Sequence, residues 1–196
     1  VSVIDVSRFD TSKVTDMDWM FSGCSGITEL DVSGFNTANV TRFEFTFNGL
    51  HNVEVLDVSK FNTAKAVTMA NMFMGDNKLK ELNVTSFSTA SVENMNSMFE
   101  GCSKLTTIPS LDMSKVTTST HMLANCSSLT SMGLYGFTHS INISGTALGH
   151  DALVAFLNQA GTAYNSSQTI TMGSAKLALL SDEEKAIATN KGWQLA

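Results

Sequence analysis

The chain has 196 residues, a formal net charge of −6, 43% hydrophobic residues and 15% charged ones. That balance excludes a solvated disordered chain, which carries fewer apolar and more charged residues. With 12 Lys+Arg against 18 Asp+Glu and no basic cluster, it also excludes phosphate-backbone binding, so no nucleic-acid partner is expected. No apolar run approaches the ~20 residues that cross a bilayer. Residues 1–10 lack the basic start and apolar core of a signal peptide, and because the chain opens inside a repeat it reads as a fragment of a longer protein. Three cysteines without CxxC spacing point to neither a zinc site nor a disulfide framework.

The dominant pattern is an internal repeat. Ile4, Leu30, Leu56 and Leu82 each open an "(L/I)-(D/N)-V" word and stand 26 residues apart. The register holds further on: Phe9, Phe35, Phe61 and Phe87; Thr11, Thr37, Thr63 and Thr89; Phe21, Phe47, Phe73 and Phe99. A fifth unit, opening at Ile108, is shortened to 24 residues beside the single proline, Pro109, and a partial sixth runs through "MGLYGFTHSINI". Fixed periods in the twenties indicate a solenoid of the leucine-rich-repeat kind. Its units are termed coils below and numbered from Ile4.

Within a coil, "ELDVSGF" alternates, with Leu30 and Val32 on one face and Asp31 and Ser33 on the other, which predicts a short half-buried strand. Asn36-Thr37 predicts a turn. Val14, Met17, Met20 and Phe21 fall at helical spacing and predict a helical turn or short helix on the opposite side. One coil cannot bury its own apolar side, whereas stacked coils can.

The repeat stops near Gly145. "TALGHDALVAFLNQAG" predicts an amphipathic helix with Leu148, Ala152, Leu153, Phe156 and Leu157 on one face, and "QTITMG" a strand. Ser181 with Glu184 three positions on is a capping box opening a last helix, and "WQL" reads as a final short strand. The expected fold is therefore an α/β solenoid, leucine-rich-repeat-like and right-handed, with short parallel strands, short helical turns and a small α/β cap. Residues 1–144 form the solenoid of about five coils and 145–196 the C-terminal capping unit.

The stretches "GITELDVSGFNTANVT", "VTMANMF" and "NSMFEGCSKL" resemble the repeat of BspA-type leucine-rich-repeat proteins, whose pattern is similar to "LTELDVSGFNTSNVTDMSGMFxGCSS"; the resemblance covers roughly residues 1–144. The tail "LSDEEKAIATNKGWQLA" resembles segments that follow such repeats in proteins of gut bacteria and their phages. The resemblance implies a surface-exposed bacterial protein acting in adhesion to host, matrix or microbial surfaces, and it carries no catalytic motif. The chain departs from the pattern in "VTRFEFTFNGLHNVEV", where Phe43, Phe45 and Phe47 replace Met-rich text and Leu50-His51 replaces the Gly-Cys-Ser region.

Candidate binding residues follow from the columns. Stacking places Asp5, Asp31, Asp57, Asn83 and Asp112 in one outward row, and Ser7, Ser33, Ser59, Thr85 and Ser114 in another. The acidic row either captures a cationic patch or is repeat grammar, each Asp accepting hydrogen bonds from neighbouring Ser or backbone groups. The expected binding face is Asp31, Ser33, Asp57, Ser59, Asn83 and Thr85, with Arg42, Glu44 and Phe45 at its edge where the second coil breaks the pattern. Trp19, Phe45, Tyr135 and Trp193 are the aromatics least tied to the repeat, Trp193 being assigned to the cap. Cys24, Cys102 and Cys126 share one column and read as buried thiols. His51, His121, His139 and His150 share no register, so no metal centre, cofactor site or catalytic set is expected. The expected function is a non-catalytic, surface-exposed or extracellular binding module for a protein or glycan partner. The alternative is a structural or receptor-binding appendage of a phage virion.

Overall fold

The computed structural model describes residues 2–196. Successive coils lie side by side and pair one period apart. β1 (Val55–Asp57) runs parallel to β2 (Glu81–Asn83) with Leu56 opposite Leu82, and a Val3–Glu29 bridge continues the same contact between coils 1 and 2. β3 (Thr107–Asp112) runs parallel to β4 (Ser131–Tyr135), with a register shift between Ile108 and Ser110. The shift falls at Pro109, which cannot donate to a ladder. Opposite it stands Gly133, where a Cβ would meet the Ser110 backbone at 2.8 Å, so the bulge admits no side chain there. In β1 the central Leu56 is buried and its neighbours are exposed, the alternation of a one-faced strand.

The second side of each coil differs from expectation. Among the described residues no helix precedes residue 150. The segment with Met17, Met20 and Phe21 is instead a ladder of turns, joined coil to coil by bridges that run Asp16–Arg42–Thr68–Asn94–Thr118. Its amides alternate in destination. Those of Met17, Trp19, Phe21 and Gly23 donate to Arg42, Glu44, Thr46 and Asn48 in the next coil, while those of Met20, Ser22 and Cys24 donate three residues back within their own coil. A left-handed residue recurs in each coil: Trp19, Phe45, Asn71, Ser97 and His121 have φ between 53° and 63°, and Gly23, Gly49, Gly75 and Gly101 between 73° and 82°. These reversals break any α-helix and turn every second amide toward the neighbouring coil, so the ladder is satisfied without helical bonds. The apolar spacing alone fits both solutions.

Two devices hold the coils in register. Phe21, Phe47, Phe73 and Phe99 stack with centroids 5.7 Å apart and planes within 6°, each pair contributing about 0.5–1.5 kcal/mol beyond area burial. The threonine column is a reciprocal clamp. Thr37 Oγ1 donates to the Asn62 carbonyl at 3.0 Å and accepts the Asn62 amide at 2.7 Å; Thr11 does the same with Asn36 and Thr63 with Ser88. Thr37 is 1% exposed, and its loss leaves the part-buried amide and carbonyl of Asn62 without partners. We predict that Thr37→Val destabilises the chain by ~2–3 kcal/mol, read as a lower urea midpoint, while Thr37→Ser stays close to wild type.

The C-terminal segment abuts the last coil. β5 (Ile141–Asn142) pairs in parallel with β6 (Thr169–Thr171), which pairs with β7 (Gln194–Leu195). α1 (His150–Gln159) buries Leu153, Phe156 and Leu157, with Phe156 4.6 Å from Phe137 in the sixth repeat. Trp193 is 3% exposed, lies 5.4 Å from Phe137 and donates Nε1–H to the Gly161 carbonyl. α2 (Ser174–Leu177) is a single turn that the sequence pattern does not announce. α3 (Asp182–Thr189) begins at the Ser181–Glu184 capping box as expected, and Lys191 Nζ caps α1 through the carbonyls of Leu157, Asn158 and Ala160.

His150 ties α1 to α3. Its Nδ1 lies 2.8 Å from Asp151 Oδ1 and its Nε2 2.9 Å from Glu184 Oε1. The Asp151 hydrogen bond first, then the charge of Glu184, raises its pKa above the ordinary 6.5. The folded value is the higher one, so this contribution is full below the ordinary histidine pKa and disappears as pH rises through the raised one. The expected outcome is a His150 imidazole titrating later than in the denatured chain by NMR, with the wild-type advantage over His150→Ala shrinking as pH rises across that window.

Candidate binding face

The acidic row is built from Asx turns. Asp31 Oδ1 accepts the Ser33 amide at 2.9 Å, Asp57 the Ser59 amide at 2.8 Å, and Asp5 and Asp112 those of Ser7 and Ser114. Asn83 accepts both the amide and the hydroxyl of Thr85, the hydroxyl at 2.8 Å. Each pair therefore closes the strand-to-turn corner, the role Asp and Asn take at such corners. The hydroxyl and then the amide of the partner serine hold Asp5, Asp31 and Asp57 below the ordinary carboxylate range, Lys60 adding a smaller effect at Asp57. Asp5, Asp31 and Asp57 are exposed, so these three are ionised at neutral pH while also serving as structural hinges.

Shallow grooves run between neighbouring coils on this face. One is lined by Glu29, Asp31, Ser33, Val55, Asp57 and Lys60, and the next by Val55, Asp57, Glu81 and Asn83. The structure thus brings Asp31, Ser33, Asp57 and Asn83 together, with Ser59 and Thr85 at the adjoining corners. It adds Glu29, Val55 and Glu81, which sequence reasoning missed. They precede the "LDV" word by one residue, and strand alternation turns them to the same side as the Asp two positions on. Val55 is 57% exposed, an apolar contact point amid the carboxylates.

Arg42, Glu44 and Phe45 stand elsewhere. They lie on the turn ladder, not at the edge of the strand face, because their position in the coil places them in the Asp16–Arg42 bridge segment. There Arg42 is consumed internally: Nη2 lies 2.7 Å from Asp18 Oδ2 and 3.1 Å from Glu44 Oε2, and Nε 3.7 Å from Asp16. Asp18 also accepts the Glu44 amide, and Glu44 Oε1 accepts from Thr68 Oγ1. Phe45 stacks on Trp19 at 3.8 Å with planes 10° apart. This cluster offers no free cation to a ligand.

The remaining candidates fall into packing. Cys102 and Cys126 are buried free thiols, each donating Sγ–H to a carbonyl of the preceding coil at 3.1 Å. Burial pushes the Cys102 thiol well up, and that of Cys126 to about 12, the opposite of an activated nucleophile. Among the described residues no group of three His, Cys, Asp or Glu is arranged to hold a metal ion, and no helix is long and apolar enough to cross a membrane. Tyr135 occupies the Asp row in the sixth repeat, opposite Asp112, and is 42% exposed.

The hinge and the charge are separable because Asn83 already forms the same turn without a charge. Asp57→Asn should leave the melting temperature unchanged. Asp57→Ala, which removes the acceptor, should lower it by about 2–4 °C; equal shifts in calorimetry would show that the turn needs the charge.

The family model described as "Mycoplasma protein of unknown function, DUF285" matches residues 2–55 and 26–137. No curated protein and no solved structure matches the chain. The matched residues cover the repeat from its first described coil into the sixth, and the chain belongs to the DUF285 family.

Proposed function

We propose that the stacked coils are a leucine-rich-repeat-like solenoid of the BspA type, serving as a non-catalytic binding module at a cell surface. Its outward strand face recognises a protein or glycan partner, and its charge favours a cationic protein surface. The observation that carries this reading is the row of exposed acidic side chains lining the inter-coil grooves, with Glu29, Asp31, Asp57 and Glu81 set against the single Lys60. An extended, shallow surface of this kind suits a protein partner gripped across several coils, and complementary charge speeds and orients the encounter. Placement at a cell surface rests on the sequence resemblance.

The test uses charge-neutral variants that keep the turns: Glu29→Gln, Asp31→Asn, Asp57→Asn and Glu81→Gln combined. Against a panel of cationic matrix and surface proteins immobilised for plasmon resonance, wild type should bind with an affinity that falls as salt rises. The quadruple variant should bind about tenfold more weakly with a flatter salt dependence. Undiminished affinity in the variant, with its melting temperature intact, would move the partner off this face.

A further inference from the structure

The column that carries the thiols reads Cys24, Leu50, Asp76, Cys102, Cys126. In coils 4 and 5 its residue makes two bonds. The amide donates within the coil, Cys102 to Phe99 and Cys126 to Leu123, and the thiol donates to the coil before, Cys102 to Phe73 and Cys126 to Phe99. Asp76 keeps the first bond, its amide donating to the Phe73 carbonyl at 3.3 Å. The junction with coil 2 departs from the pattern. The Leu50 amide does not turn back to Phe47 but donates across the junction to Asp76 Oδ1 at 2.8 Å. Two groups are then left over. Among the described residues nothing donates to the Phe47 carbonyl, the atom that column register assigns to the side chain of residue 76. Asp76 is 1% exposed, and its Oδ2 is buried without a partner. A carboxylate oxygen cannot donate to a carbonyl, but the hydroxyl of a carboxylic acid can.

We infer that Asp76 is held in the fold as the neutral acid, Oδ1 accepting from the Leu50 amide and Oδ2–H donating to the Phe47 carbonyl in place of a thiol, and that this makes the junction of coils 2 and 3 a pH-sensitive joint. The environment favours that state. Desolvation pushes the carboxyl well above its ordinary range, opposed by the amides of Leu50 and Gly49. Among the described residues no Lys, Arg or His bridges it. From coil 4 it faces the Cys102 thiol, which burial pushes well up. From coil 2 His51 reaches the adjoining residue, its Nδ1 2.9 Å from the Gly75 carbonyl. In its own coil Lys78 is engaged with Asn52 Oδ1 at 2.7 Å. Because the folded value lies above the unfolded one, the joint is fully stabilised below the ordinary carboxylate range and weakens as pH rises through the raised value. Ionisation would place a buried negative charge against the Phe47 carbonyl oxygen.

The experiment follows the carboxyl carbon of Asp76 by NMR in the wild-type chain, and urea midpoints of wild type, Asp76→Asn and Asp76→Cys across pH. Asn copies the neutral acid, with an oxygen for Leu50 and an amino group for Phe47. Cys restores the residue of the neighbouring coils. The expected result is an Asp76 resonance that stays at its neutral-acid position while Asp31 and Asp57 ionise. The wild-type midpoint should fall relative to both variants as pH rises, with the difference vanishing in acid. Titration of Asp76 together with Asp31 and Asp57, or a midpoint difference independent of pH, would overturn the inference. Should Asp76→Asn fail to fold, Asp76→Cys and the wild-type titration decide it. The outcome is independent of any partner on the strand face.

Discussion

The structure depends on one constraint: the inner polar groups of a coil must be answered by a fixed position of the neighbouring coil. The Thr37–Asn62 clamp shows why. A threonine hydroxyl gives one bond to, and takes one from, a single backbone residue 25 positions on, one short of the period, so moving the neighbouring coil by one residue would break both. The ladder amides obey the same rule, those of Met17, Trp19, Phe21 and Gly23 donating to Arg42, Glu44, Thr46 and Asn48 in the next coil. An unmade buried bond costs more than a made one contributes, so the repeat length is held by the penalty for slipping rather than by the strength of any strand. Named strands here are as short as two residues, too short for sheet pairing alone to fix a register.

Departures from the repeat are then informative, because each must find its own answer. Coil 5 is two residues shorter although its strand carries one extra residue at the Pro109 bulge, with Gly133 opposite, where no Cβ fits; the loss falls in the turn after Asp112, where "DMSKV" lacks the Phe-Asn pair of coils 2 and 3. Asn125 takes the left-handed position held by glycine in coils 1 to 4, a conformation asparagine tolerates better than most residues. Trp19 and Phe45 take the other left-handed position, where Asn71 stands in coil 3, and there the stacked rings offset the backbone strain. At Leu50 and Asp76 the departure reaches the hydrogen-bond pattern itself.

Much of this was legible in the sequence because a period converts sequence position into space. The Phe stack, the Thr clamp, the thiol column and the Asp row were each readable as columns before any coordinate, and the capping box at Ser181 was readable from local chemistry. The helical turn at Met17 and Phe21 was misread because apolar spacing cannot tell a helix from a ladder in which every fourth residue is left-handed. Asn71 and the glycines from Gly23 to Gly101 were the available signal, since residues that accept positive φ recurred in register. Arg42 was misplaced for a related reason. A break in the pattern marks an unusual position, but only the path of the chain shows that Asp16, Asp18 and Glu44 already surround it.

The Asp row itself illustrates how a repeat protein ties part of an exposed face to structural duty. Asp31 and Asp57 each spend one oxygen on a serine amide, so neither can be exchanged freely for a larger or cationic residue without opening its corner. Only Asn is an easy substitute, and coil 4 uses it at Asn83. The positions two residues earlier carry no such duty. Glu29, Val55 and Glu81 differ in charge and shape from coil to coil although they stand in one column. On the proposed reading, partner choice would be written in that variable column, beside the Asp and Asn side chains that close the turns. A stack of coils that must keep its hinge residues to stay folded retains freedom to vary its outward surface only beside them.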